Sequence, residues 1–297
     1  MSLLRSAITY GLFPTWFAAA IALAIWAVDA LDDPALILAP IAFGTAAMLL
    51  VVERVHPEHP EWNVAKGDVR TDILHTLVSQ ILLPKAIEVG IATAILASAF
   101  RLSDVVGFAA WPTQWPLMIQ MALALVITQF FEYWWHRLAH TVPLLWRLHA
   151  THHSPERLYW LNAGRFHPLD TAFSAMVSLG SLLLLGAEGG VLVMISTWIA
   201  VHGLFQHCNV RLRLGPLNWI FSMAELHRWH HSLVLDEANS NFGNNILLWD
   251  IVFGTVHWPK DRQASAQIGL SELPNFPRGY LDQLASPFTW NRLQNRP

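Results

Sequence analysis

The 297-residue sequence predicts an all-α integral membrane protein, a multi-span helical bundle under a cytoplasmic, histidine-rich cap that holds two metal ions. Three observations lead there. Hydrophobic residues make up 54% of the chain and charged residues only 13%; uncharged runs long enough to cross a bilayer recur; and the histidines gather where those runs end. A net charge of −3 offers no basic surface for nucleic acid, so no nucleic-acid partner is expected. The single cysteine, Cys208, leaves any metal to nitrogen and oxygen ligands.

From Ile8 to Val28 no charge interrupts the chain, which satisfies the ~20 residues a crossing helix needs and exceeds the apolar core of a signal peptide. Pro34 to Val52 is a second such run, after an acidic turn at Asp29, Asp32 and Asp33. Ile73 to Phe100 is apolar apart from Lys85 and Glu88, and Pro84 in its middle makes it either one kinked span or a re-entrant pair. Ala109 to Phe131 is again uncharged. Thr171 to Gln206 is broken only at Gly186-Ala187-Glu188-Gly189-Gly190, the expected tip of a helical hairpin. The chain thus divides into N-terminal membrane helices over 1–130, a histidine-rich region over 131–260 with a hairpin near 171–206, and a cytoplasmic tail over 261–297, all in one integrated domain.

Positive charge sorts these spans. With Arg5 cytoplasmic, Arg54, Lys66 and Arg70 lie inside, as do Arg137, Arg147, Arg157, Arg165, Arg211, Arg213 and Arg228, together with most of the histidines.

Those histidines form His136-Arg-Leu-Ala-His140, then His149-Ala-Thr-His152-His153, then His202 and His207, then His227-Arg-Trp-His230-His231. At ~100° per helical residue, positions i, i+3 and i+4 fall within a ~100° arc, so each cluster can aim its rings to one side as a set of metal ligands. Eight histidines in three clusters exceed the needs of one ion and suit two. Imidazole accommodates iron, copper, nickel or zinc, so the ligand type leaves the element open. His202 and His207 stand ~140° apart on a straight helix. Either the helix ends between them or only one ligates, and His207, at the start of a polar segment, is the better candidate. His167 before Pro168 sits in a non-helical context and could ligate a metal itself, support a ligand from behind or face the substrate. His56, His59, His75 and His257 lack partners at ligand spacing and are expected to be structural.

The pattern resembles the membrane-bound fatty acid hydroxylase and sterol desaturase superfamily of histidine-box di-iron enzymes, over roughly Phe131 to Trp258. "HRLAH", "LHATHHSPERL" and "LHRWHH" match its boxes in order, and "FQHCNVRL" resembles the segment that supplies a further histidine. "NAGRFHPLD" and "NFGNNILLWDIVFGT" resemble its supporting segments, and "ERVHPEHPEWN" a loop of its bacterial members. The resemblance implies two iron ions held by His136, His140, His149, His152, His153, His207, His227, His230 and His231, with His202 as a possible addition. It makes 131–260 the catalytic region and O2 a co-substrate, with the metal centre itself as the only catalytic group. The expected reaction is hydroxylation or desaturation of a lipid C–H bond in a fatty acyl chain, sterol, carotenoid or related molecule.

His167, Asp170, Asn241 and Asp250 are candidates to hold the ligand rings in place, and Glu132, Glu225 and Asp236 are near enough to do the same. Trp134, Trp135, Trp160, Trp219 and Trp229 are expected to anchor at the interface more than to line an acyl path. No iron–sulfur cysteine cluster and no flavin or nicotinamide glycine fingerprint is present, so a separate electron-transfer protein or reductase is expected. The arginine bias over lysine and the lack of a C-terminal retention motif lead to an expected bacterial inner membrane. Two other classes compete. A zinc-dependent membrane hydrolase would need a general-base carboxylate inside a cluster, as in HExxH, and no box has one. A metal carrier or transporter should place its ligands near the membrane midplane, whereas these stand at the ends of spans.

Overall fold

A computed structural model describes residues 2–98, 105 and 110–295. Among the described residues there is no strand, only three isolated bridges such as Pro57 with Val210, and helices carry the architecture. They are α1 (Leu3–Ala30), α2 (Leu38–Val55), α3 (Val69–His75), α4 (Leu83–Ser98), α5 (Leu117–Thr141), α6 (Pro143–His153), α7 (Pro168–Leu185), α8 (Gly189–His207) and α9 (Ala224–His230), followed by shorter helical turns. Five are long and apolar enough to cross a membrane: α1, α2 with its leading turn (Pro34–Val55), α5, α7 and α8.

The run from Ile73 is one continuous helical path as far as Ser98; Phe100 at its end, like Ala109 at the start of the next run, lies outside the described residues. Between α3 and α4 the chain forms a π-helical stretch over Thr76–Leu82, just before Pro84. Widening the turn there removes the need for the amide hydrogen that proline lacks, which is how the path continues through the break. Gly164 presses against this stretch, and a Cβ on it would collide with Thr76.

α8 is the central helix, packing against α1, α2, α5 and α9. Its approach to α1 depends on small residues: Ala20, Ala24 and Ala27 form one buried stripe at helical spacing on α1, and a Cβ at Gly190 would stand 3.0 Å from Val28. In lipid, such close packing takes the place of the hydrophobic drive available in water. Phe13 and Phe17 of α1, Met121 and Leu125 of α5 and Trp198 and Phe205 of α8 fill the contact. The hairpin tip is at Gly186, whose φ of +85° closes α7 in the left-handed conformation that favours glycine.

At one end the loops are tied to the histidine-bearing helices by buried polar groups. The Glu53 carboxylate accepts the backbone N–H groups of Trp160 (2.8 Å) and Asn209 (2.9 Å). Arg157 grips Asp68 through two bonds of 2.6 and 2.8 Å and donates to the Trp62 carbonyl. Arg165 and the Tyr159 hydroxyl both donate to Asp72. The chain beyond 260 folds back: Leu273, Phe276, Trp290 and Leu293 pack on Ala150 and Trp146 of α6.

Candidate metal centre

Each histidine box lies on a helix end. α5 runs past Phe131 and carries His136 and His140 on its last turns; α6 starts with Pro143 in its first turn and stops at His153, before Ser154 and Pro155. α8 ends at His207, and α9 holds His227 and His230, with His231 as its C-terminal cap.

Nine imidazoles converge into two groups: His136, His140, His149, His153 and His230 in one, and His152, His207, His227 and His231 in the other, with the candidate ligand atoms within 4.8 Å of one another in each. The boxes do not map one to a group. On a helix, i and i+4 diverge by ~40° while i+3 turns ~60° the other way from i, so the first and last histidines of an HxxHH box pair and the middle one parts from them. On α6, His149 and His153 join the five-membered group and His152 the four-membered one; on α9, His227 and His231 join the four-membered group and His230 the five-membered one. The two helices are interleaved through both groups.

The rings are held from behind. His136 Nδ1 is 2.7 Å from the Phe242 carbonyl, His230 Nδ1 2.8 Å from the Ser240 carbonyl, and His149 Nδ1 2.8 Å from the Asp170 carboxylate. His140 Nδ1 faces Asn239 Oδ1 at 3.2 Å, His207 Nδ1 faces Asn162 Oδ1 at 3.1 Å, and His152 Nδ1 lies 3.3 Å from the Arg165 carbonyl. With Nδ1–H donated outward, the Nε2 lone pair is directed inward, the arrangement that fixes a metal-binding tautomer. His136, His149 and His230 keep a buried Nε2 without any partner. Orphaned buried nitrogens of this kind cost free energy unless something occupies the space between them. Burial, with the neighbouring rings adding to it, holds His152, His153, His227 and His231 well below the usual imidazole range, and burial does the same to His230. Their neutral form is the one that binds metal. Donor set, tautomers and protonation state therefore fit two imidazole-bound metal ions.

The remaining sequence candidates are spread more widely. His202 belongs to neither group. The helix does not end before His207, so His202 faces elsewhere, buried between the rings of Phe13 (6.0 Å) and Phe221 (6.1 Å) with both nitrogens unpartnered. His167 caps α7, accepting the Leu169 N–H at 3.1 Å, while its Nε2 meets the Leu284 carbonyl. Asp170 stands directly behind His149 and also accepts the Trp135 indole N–H at 2.7 Å. Asp250 acts one step further back: it accepts the N–H groups of Phe242 (2.8 Å) and Gly243 (2.7 Å) and so fixes the carbonyl that holds His136. Asn241, at φ 51°, ties Leu226 of α9 to His257 through its side chain.

Glu132 bonds Ser174 and Asn244, and Glu225 bonds Leu214 and Asn218; neither bonds a histidine. Asp236 is exposed. Of the five tryptophans expected at the interface, only Trp219 is largely exposed; Trp135 braces Asp170, and Trp229 is buried beneath the Arg262 guanidinium. Asn162, Asn239 and the carbonyls of Arg165, Ser240 and Phe242 went unnoticed in the sequence. Backbone acceptors carry no residue signature, although Asn162 lies in the "NAGRFHPLD" segment. Phe166, in the same segment, stacks on His152 at 4.0 Å and 17°.

Residues 121–255 match the fatty acid hydroxylase family. The chain is 43% identical over 250 residues to an ornithine lipid hydroxylase of Rhizobium tropici, covering 83% of this chain and 74% of that protein. An alkylglycerol monooxygenase of Xenopus tropicalis is 29% identical over 155 residues, 51% of this chain and 33% of that one. A methylsterol monooxygenase of Arabidopsis thaliana is 24% identical over 141 residues, 46% and 52% of the two chains. No solved structure matches.

Proposed function

This chain belongs to the fatty acid hydroxylase family, and on that premise we propose that it is an O2-dependent hydroxylase or desaturase of a membrane lipid, working through two iron ions. The reading rests above all on the two groups of imidazoles whose ligand atoms lie within 4.8 Å of one another, with unpartnered Nε2 atoms on His136, His149 and His230 of the five-histidine group. His136, His140, His149, His153 and His230 would hold one ion and His152, His207, His227 and His231 the other. When bound, the iron pair supplies the activation of O2 needed to attack an unactivated C–H bond.

The chain's own residues supply placement. Asp170 and the carbonyls of Phe242 and Ser240 keep three rings in the required tautomer, and the burial of every ligand but the half-buried His140 keeps bulk water away. The two electrons per turnover would come from a separate donor protein. Arg137, Arg147, Arg157 and Arg228 lie on the same helices and loops as the ligands, which supports a cytoplasmic metal side in a bacterial inner membrane. The 43% identity to an ornithine lipid hydroxylase makes an aminoacyl lipid the first substrate to assay.

The test is an untargeted comparison of lipids from cells with and without the gene, under air and without it, together with metal analysis of the purified protein. A lipid that gains one oxygen or loses two hydrogens only with the gene and only under air is the expected result. Product formed without O2, or an active and metal-free His152→Ala protein, would overturn the reading.

A further inference from the structure

Outside the histidine groups, a cavity of about 480 Å³ opens beside the C-terminal ends of both HxxHH boxes. Ser154 and Pro155, directly after His153, line one wall, and Leu233, two residues after His231, lines another. Its apolar side comes from the returning C-terminal chain, through Leu270, Leu273 and Phe276. The volume is within the range of small-molecule sites, as is the pairing of an apolar wall with a few convergent polar groups.

The charges in it are unequal. Lys66, Arg165 and Arg278 line the cavity with two carboxylates, Asp68 and Glu156. Asp68 is already consumed by the two bonds from Arg157, and Arg165 is paired with Asp72, so Glu156 is left facing two cations, Lys66 and Arg278. Arg278 reaches one oxygen of Glu156 at 2.8 Å and Lys66 the other at 3.4 Å, in ion pairs that join three distant parts of the chain. These side chains are partly exposed, so the pairs are cheap to break. Deeper in, Arg165 is 3% exposed, donates to Asp72 and to Ser154 Oγ, and retains an Nη2 with no partner. A buried guanidinium in the wall, two convertible cations and an apolar side form a receptor for an anion attached to carbon.

We propose that this cavity binds the oxyanion end, carboxylate or phosphate, of a small amphiphile, with Lys66 and Arg278 exchanging Glu156 for the ligand and Arg165 supporting it from below. The inference goes beyond the histidine centre and does not depend on iron, so its failure would leave the proposed function standing.

The experiment is calorimetric titration of the purified full chain in phosphatidylcholine nanodiscs with hexyl phosphate, with inorganic phosphate and hexylamine as parallel probes. Saturable binding of hexyl phosphate is expected, weakened by about tenfold in Lys66→Gln and in Arg278→Gln, as loss of a charge-assisted bond requires. Glu156→Gln removes the internal competitor and is expected to tighten binding severalfold, a gain that a misfolded variant cannot mimic. Inorganic phosphate binding as tightly as hexyl phosphate would support the anion site while assigning it to a free anion and not to an amphiphile. Equal binding of hexyl phosphate by the native chain and by Lys66→Gln/Arg278→Gln, equal binding of hexylamine, or no tightening in Glu156→Gln would overturn the proposal.

Discussion

The five-histidine and four-histidine groups share two helices, α6 and α9, yet they are braced in different ways. In the larger group, His136, His140, His149 and His230 each turn Nδ1 to a protein oxygen, and one of those oxygens belongs to a buried carboxylate, Asp170. In the smaller, only His152 and His207 do so, at 3.3 and 3.1 Å, while His227 and His231 keep buried, unpartnered Nδ1 atoms and press on each other through Nε2 at 3.0 Å. One position is organised by the surrounding protein before metal arrives; the other is organised mainly by its own ligands. The difference teaches that identical spacing in sequence does not give equivalent sites, because the acceptors behind the rings decide how firmly each ring is aimed.

The sharpest break of the comparison is removal of a ligand from either side. If both positions hold iron as proposed, His230→Ala and His227→Ala are each expected to abolish lipid oxidation, a loss of at least ~100-fold in turnover. Full activity in either variant, measured as product per iron bound, would show that its group is dispensable. Next in size is unequal metal retention: on stepwise chelation the ion at the four-histidine position is expected to leave first, so iron content should fall in two phases. A single phase that removes both together would erase the contrast in bracing. Third, Asp170→Asn should weaken iron binding by ~10–100-fold, the usual effect of losing a carboxylate behind a ligand ring, while Asn162→Ala should cost less. The order is read by metal competition and reverses if Asn162 matters more.

Acid sharpens the comparison in the metal-free protein. Burial lowers the proton affinity of His152, His153, His227, His230 and His231 in the folded state below the usual 6.5. The unfolded chain therefore binds more protons below that pH, and stability present above it is lost as the pH falls below it. Thermal transitions recorded from about pH 7.5 down to about 5.5 should shift downward across that window, and bound metal should reduce the shift. The smallest effect on metal is expected at His202. His202→Leu should leave iron content unchanged and raise stability by ~1 kcal/mol, because two buried, unsatisfied nitrogens are removed. Loss of iron in that variant would return His202 to the ligand set.

Much of this was legible in the sequence, for definable reasons. Membrane helices announce themselves through the absence of charge, which made α1, α2, α5 and the α7–α8 hairpin readable to within a few residues at most ends. The exception was α5, which continues past Phe131 because charged and aromatic residues at a membrane surface do not stop a helix. Histidine is rare enough in lipid-facing sequence that its repeats stood out. What could not be read was which nitrogen meets which. The division of each box between two groups depends on i+3 and i+4 falling on opposite sides of i, ~100° apart around the helix, and the acceptors behind His136, His152 and His230 are backbone carbonyls, a group every residue possesses. Glu132 illustrates a related limit: proximity in sequence to His136 does not pair its carboxylate with the ring when Ser174 on a neighbouring helix bonds it.

The interleaving of α6 and α9 also bears on the order of assembly. Because each helix lends histidines to both positions, the first ion to settle fixes the orientation of rings waiting for the second. Loading would then be ordered, with the better-braced five-histidine position filling first and aiming the shared rings for the second ion, so a cell short of iron would hold molecules filled at that first position alone.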